Sequence, residues 1–180
     1  APLVPEAAFD AMGKIIAGIA EGGSTVIVKD AIGAQLGTTV ADATTGAYTV
    51  TLPTALINNQ TVNITSTDAA GNVSLVQTIV APDLTPPEIP TAAFDTAGEI
   101  IAGVAEANNT VIIKNASGDE LGRATADGVN GTYSVTLFSA LIDKETVNVT
   151  AMDGAGNISG IQVLIAPDKT PPAAPTANLN

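Results

Sequence analysis

The residues best placed to do chemistry are oxygen-bearing side chains on turn-rich stretches: Asp83, Glu106, Asp153 and Asn157, with Glu21 and Asp68 earlier in the chain and Asp168 later. Such groups suit a hard divalent cation. Ca2+ takes about six to eight oxygens in flexible geometry, from carboxylates, turn carbonyls and water, whereas Mg2+ keeps its waters and demands an octahedron. Ca2+ is therefore the expected cofactor. The run Asp153-Gly154-Ala155-Gly156-Asn157 is not an EF-hand, since it lacks the roughly 12-residue spacing and the final Glu. Taken alone, it also reads as an ordinary turn in which Asp and Asn bond their own backbone. Asp42 and Asp127 are expected only to make turns.

Other chemistries are narrowed by what the chain lacks. It has no His and no Cys. That removes the commonest general base, thiolate catalysis, disulfides and Cys-type zinc sites. A net charge of −12, from 18 acids against 6 bases, offers no basic patch for phosphate. Nucleic acid is thus not an expected partner, and anionic lipid is disfavoured for the same reason. The acids also have a bland use, keeping the protein soluble. No apolar run approaches the ~18 residues of a membrane span, so direct membrane insertion is not expected. No signal-peptide pattern opens at Ala1, which reads as a fragment or a mature piece.

The elements that must position these acids come in two copies. Phe9-Asp10 returns as Phe94-Asp95, a spacing of 85 residues. The same spacing relates Gly18 to Gly103, Glu21 to Glu106, Tyr48 to Tyr133, Asp68 to Asp153 and Asp83 to Asp168. This is a tandem repeat of a unit long enough to be a small domain. The expected division is repeat 1 over 1–83, repeat 2 over 84–172, and the start of a further linker or repeat over 173–180. Between the copies lies a strap, residues 81–90, which returns over 166–175. Its prolines fix φ and lack an N–H for a sheet, so it should be extended and semi-rigid.

Within each copy the segments are short and β-like. Tyr48, Val50 and Leu52 alternate with polar residues, as do Tyr133, Val135 and Leu137. This period of two marks a half-buried strand. Further strands are expected at about 7–9, 14–20, 25–29, 36–41, 61–65 and 73–80, separated by Gly, Asp and Asn turns. The 14–20 and 25–29 runs read as inner strands, and 53–58 as one helical turn with Leu56 plugging the core edge. The fold class is all-β: two tandem immunoglobulin-like Greek-key β-sandwiches of about seven strands each, joined by a Pro-rich linker. Tyr48, Tyr133 and the three Phe are expected in core packing. A core this small is marginal without disulfides, and bound metal can add stability.

Strand parity then places the loops. With seven alternating strands, the loops holding Glu106, Asp127 and Asp153 lie at the end of the second unit where the strap with Asp83 arrives. Asp83, Glu106 and Asp153 are thus expected to share one ion, with Asn157 as a neutral ligand. Glu21 and Asp68 belong to a first-unit site whose strap acid would precede Ala1, and Asp168 to a third unit beginning at Ala173. Those half-sites are expected to be weaker, as in a piece of a longer array. Asp10 and Asp95, in the bend after the first strand of each copy, are rival partners for the outgoing strap.

The Asp-x-Thr-Pro-Pro straps, the step Gly18-Ile19-Ala20-Glu21 with its copy Gly103-Val104-Ala105-Glu106, and the Asp-x-Ala-Gly-Asn loops resemble bacterial Ig-like tandem repeats of giant RTX-type and biofilm-associated-protein-type adhesins. The resemblance covers nearly the whole chain. It implies a structural extender in a bacterial surface adhesin, acting in cell adhesion and biofilm formation. It also implies type I secretion, an extracellular place at the bacterial cell surface, and calcium at the inter-domain joints. On that basis Asp83 and Asp168 are linker ligands, and Glu21, Glu106, Asp68 and Asp153 loop ligands. The expected partners are neighbouring repeats of the same chain, with adhesin molecules on adjacent cells left open. The alternative is a calcium-dependent carbohydrate-binding module. Paired carboxylates can also run glycoside hydrolysis, but these sit on turns with no sign of an enclosing cleft, so no enzyme is expected.

Overall fold

The alternation seen in the sequence becomes a pair of sheets in each copy. In a computed structural model, described over residues 1–172, the chain divides into two compact units, one over Ala1–Thr85 and one from Pro86 onward. The stretch 173–180, where a further repeat was expected to begin, lies outside the described residues.

The first unit has seven strands: β1 (Glu6–Phe9), β2 (Ile15–Ile19), β3 (Thr25–Asp30), β4 (Gln35–Val40), β5 (Ala47–Thr51), β6 (Thr61–Thr67) and β7 (Gln77–Val80). They form two antiparallel sheets, ordered β1-β2-β5 and β4-β3-β6-β7. The second unit repeats this with β8 (Thr91–Phe94), β9 (Ile100–Val104), β10 (Thr110–Asn115), β11 (Glu120–Thr125), β12 (Thr132–Thr136), β13 (Thr146–Met152) and β14 (Gln162–Ile165). Its sheets are ordered β12-β9-β8 and β11-β10-β13-β14. This is the immunoglobulin-like sandwich, with three strands in one sheet and four in the other.

Each unit buries one face of each sheet. Ile16, Val26, Val28, Tyr48, Val50, Leu52, Val62 and Ile64 form the first core. Ile101, Val111, Ile113, Tyr133, Val135, Leu137, Val147 and Val149 form the second. The two cores share no residue. The 14–20 and 25–29 runs are inner strands as expected, β2 between β1 and β5 and β3 between β4 and β6, but β2 is not buried on both faces: Ile16 is buried while Ile15 and Ile19 face outward.

Three further expectations are corrected. No helical turn forms at 53–58, because its backbone N–H groups are engaged elsewhere. Leu56 donates to Gly13 and Asn58 to Pro82, each at 2.8 Å, and Asn58 and Asn59 hold φ of 56° and 61°. Leu56 does pack against the core as expected. The 73–80 strand is split: Val73 makes a lone bridge to Thr67, and the ladder resumes at Gln77. Between them the Ser74 hydroxyl accepts from Ser66 N at 3.0 Å and donates to Leu75 O at 2.8 Å, so a side chain replaces the missing strand partner. Finally, Phe9 and Phe94 pack on the cores, but Phe138 is fully exposed. It stands where the first copy has Pro53.

The tyrosines do more than fill the core. Tyr48 on β5 reaches across β2 and donates to Glu6 O on β1, and Tyr133 does the same to Thr91 O, each at 2.7 Å. Burial pushes both phenols from the usual 10 up to about 12. The folded state thus favours the neutral phenol, and this contribution is complete below pH 10 and disappears as pH rises through about 12. With two Tyr and no Trp in the chain, tyrosinate absorbance reads these groups alone. It is expected to titrate near pH 12 in buffer and near 10 in urea; titration near 10 in both would contradict the buried phenols.

Candidate functional site

Strand register fixes which loops are neighbours. In the second unit Thr91 opposes Val104, Thr132 opposes Val104, and Thr110 opposes Met152. The arriving strap and the loops holding Glu106, Asp127 and Asp153 therefore gather at one end. At the other end Ile165 opposes Thr146 and Phe94 opposes Ile101, so the departing strap joins the loops holding Asp95 and residues 137–145. The first unit follows the same plan, through Glu6 opposite Ile19 and Thr25 opposite Thr67.

At the arriving end, Glu106 Oε1 accepts from the backbone N–H of Glu88 at 2.8 Å. The loop carboxylate thereby ties down the strap. Glu106 also lines a hollow of about 220 Å³ with Glu88, Ile89 and Val104. Glu21 lines the matching hollow, about 190 Å³, with Leu3, Val4 and Ile19.

Asp153 and Asn157 are brought together in one turn. Asp153 Oδ1 accepts from Ala155 N and Asn157 N, and its Oδ2 from Asn157 Nδ2, all at 2.9 Å. Asp68 does the same with Asn72 in the first copy. The Asn side-chain amide, followed by the backbone N–H groups, holds both Asp carboxyls below the usual carboxylate range. These acids stay ionised, and the ordinary-turn use of the loop is realised. Asp42 and Asp127 likewise cap their own turns. Asp10 and Asp95 each accept two backbone N–H groups in the bend after the first strand.

The strap acids sit at the departing ends. Asp83 Oδ1 accepts from Thr85 N at 3.1 Å, next to Pro82, whose carbonyl holds Asn58 N. Asp168 accepts from Thr170 N at 3.1 Å and Thr170 Oγ1 at 2.7 Å. It also forms an ion pair with Lys144 Nζ at 2.6 Å. The Lys144 ammonium, then Thr170, holds the Asp168 carboxyl down at about 2. Sequence reasoning missed Lys144. The available signal was a base in a loop where the first copy has Asn59.

For a hard cation, the fit is in the donor chemistry: ionised carboxylates beside turn carbonyls. Within either unit, no three acidic side chains cluster among the described residues.

The model of one family, described as "Bacterial Ig domain", matches the chain twice, over residues 1–83 and 86–168. The chain belongs to the bacterial Ig domain family. Solved structures similar to these bacterial Ig repeats include the BSP domain of a biofilm-associated protein, at 19% identity over 94% of this chain and 30% of that one, with a TM-score of 0.43. The repeats thus span 30% of that structure's length. The fibronectin(III)-like modules of CbhA from Clostridium thermocellum are 12% identical over 91% of this chain and 94% of that one, with a TM-score of 0.45. A two-domain fibronectin type III segment of chicken tenascin is 10% identical over 92% and 98%, with a TM-score of 0.37. No curated protein matches the bacterial Ig repeats.

Proposed function

We propose that this chain is a structural extender of a bacterial surface adhesin, non-enzymatic and extracellular, whose repeats are stiffened by calcium at the joints. The observation that carries the reading is the duplication itself. One family unit occurs twice, each copy with its own core, and hydrogen bonds fix strap residues on the loops of each unit: Pro82 on Asn58 in the first, Glu88 on Glu106 in the second. A module built this way transmits position rather than chemistry. The function in adhesion and biofilm formation rests on family membership and on the resemblance to adhesin stalks.

Calcium would be held by Asp83 with Glu106 and Asp153, and by Glu21, Asp68 and Asp168 at the flanking positions, with Asn157, carbonyls and water completing the shell. The ion would neutralise the acids it draws together and remove bending freedom. The protein's own contribution is to hold the Asp68, Asp153 and Asp168 carboxyls below the usual carboxylate range and to keep the strap anchored. Small-angle scattering is expected to show greater flexibility after chelation than in excess calcium. Profiles that overlay under the two conditions would contradict the reading.

The alternative, a calcium-dependent carbohydrate-binding module, gains one observation. Phe138 is an exposed ring beside a hollow of about 200 Å³ lined by Leu121, Leu137 and Leu141. Specific, calcium-dependent hits on a glycan array would favour it.

A further inference from the structure

The turn between β11 and β12 contains the one Asn-Gly pair in the sequence, Asn130-Gly131. With no Cβ to shield it, the Gly131 amide is the backbone nitrogen best able to attack the carboxamide before it. In the folded turn the two reacting groups are pinned separately. Gly131 N donates to Asp127 O at 2.9 Å. Asn130 Oδ1 accepts from Thr132 N at 2.9 Å and from Thr132 Oγ1 at 2.7 Å. Asn130 is exposed, so water reaches it. Gly131 cannot be exchanged, because its φ is 71° and a Cβ would lie 2.1 Å from Ala105 O. Asn130 is not held to its type in this way. The first copy has Thr45 before its Gly46, and Thr45 Oγ1 accepts from Ala47 N at 3.2 Å, where Asn130 accepts from Thr132 N. The fold therefore does not need an amide here, and only the second copy carries the reactive pair.

We propose that Asn130 is a site of spontaneous deamidation, held in check by the folded turn and released when the second unit opens. On opening, Gly131 N gives up its proton and bonds to Asn130 Cγ. The Cγ–Nδ2 bond breaks, and ammonia leaves carrying that proton. Water then opens the cyclic imide. Cleavage of the new N–Cγ bond leaves an ordinary aspartate. Cleavage at the main-chain carbonyl of residue 130 leaves isoaspartate, with an extra carbon in the main chain. The longer chain displaces Gly131, whose carbonyl accepts from Ala105 N at 3.0 Å, next to Glu106. The lesion thus loosens the loop that holds Glu88, and it does so in one copy only. Unfolding of the second unit becomes irreversible, while the first unit still refolds.

The test is peptide mass mapping of residue 130 in the full chain, incubated in buffer and in urea, for the parent, Thr132→Val and Asn130→Thr. In the parent, conversion of amide to acid is expected to be roughly thirtyfold slower in buffer than in urea, the factor that two ordinary hydrogen bonds supply. Thr132→Val keeps a strand-forming residue but removes the hydroxyl. It is expected to react about fivefold faster than the parent in buffer, the factor for one such bond, and at the parent's rate in urea. After incubation in urea and dilution, the parent regains the first unit's melting transition but only part of the second's, whereas Asn130→Thr regains both. Equal parent rates in buffer and urea would overturn the proposal. So would a Thr132→Val rate equal to the parent's in buffer, or full recovery of the parent's second transition after residue 130 has converted.

Discussion

Replacing Gly103 by Ala is expected to destabilise the second unit by about 3 kcal/mol, at the upper end for overpacking a folded interior. A Cβ at Gly103 would lie 2.0 Å from Thr91 O and 3.0 Å from Ala92 Cα. Both are backbone atoms, so no side chain can swing aside. Strand β8 would have to lift off β9, taking with it the carbonyl that accepts the Tyr133 hydroxyl and uncovering Ala92 and Phe94 at the core edge. Gly18→Ala should do the same to the first unit, since its Cβ would meet Glu6 O at 1.9 Å. Gly154→Ala is the control: nothing lies within 4 Å of its Cβ, and a surface change of this kind stays within about 0.5 kcal/mol. Urea denaturation of the three variants checks the set. Parent-like stability in Gly103→Ala would contradict the described contact.

Ile101→Ala is expected to cost about 2–5 kcal/mol, through lost burial and the cavity left behind. Ile101 is fully buried among Val111, Ile113, Tyr133 and Val149. Domains of this kind have only about 5–15 kcal/mol in total, so one such change consumes a large share. Because the first core contains none of these residues, its own unfolding transition should not move. Ile165→Ala, on a side chain 67% exposed, should leave both transitions in place. A calorimetric scan in which Ile101→Ala shifted both units equally would contradict separate cores.

Much of this architecture is legible from side-chain period and turn chemistry. Tyr48, Val50 and Leu52 mark β5, and Asp68 to Asn72 marks the turn after β6, because both signals act between near neighbours. The failures come where a distant partner decides. Residues 53–58 have a helix-compatible composition, yet their N–H groups are drawn to Gly13 and to the strap carbonyl of Pro82. The break in the last strand depends on the Ser74 hydroxyl meeting Ser66 across the sheet. Phe138 looks like core until its loop is seen to turn outward. For the candidate site, parity alone placed Glu106 and Asp153 at the arriving end. The tie from Glu106 to Glu88 N needed the strap's path, and Lys144 needed the fold of the 137–145 loop, neither of which has a local pattern.

The proposed binding of calcium through Asp83 on the strap is read by the melting temperature of the parent, Asp83→Ala and Asp10→Ala across a calcium titration. Sites of extracellular modules have Kd of about 10⁻⁴–10⁻³ M, and calcium at ten times Kd should stabilise the parent by about 1.4 kcal/mol. Asp83→Ala is expected to lose this rise and Asp10→Ala to keep it. A parent that does not respond to calcium, or an Asp83→Ala variant that responds as the parent does, would contradict it.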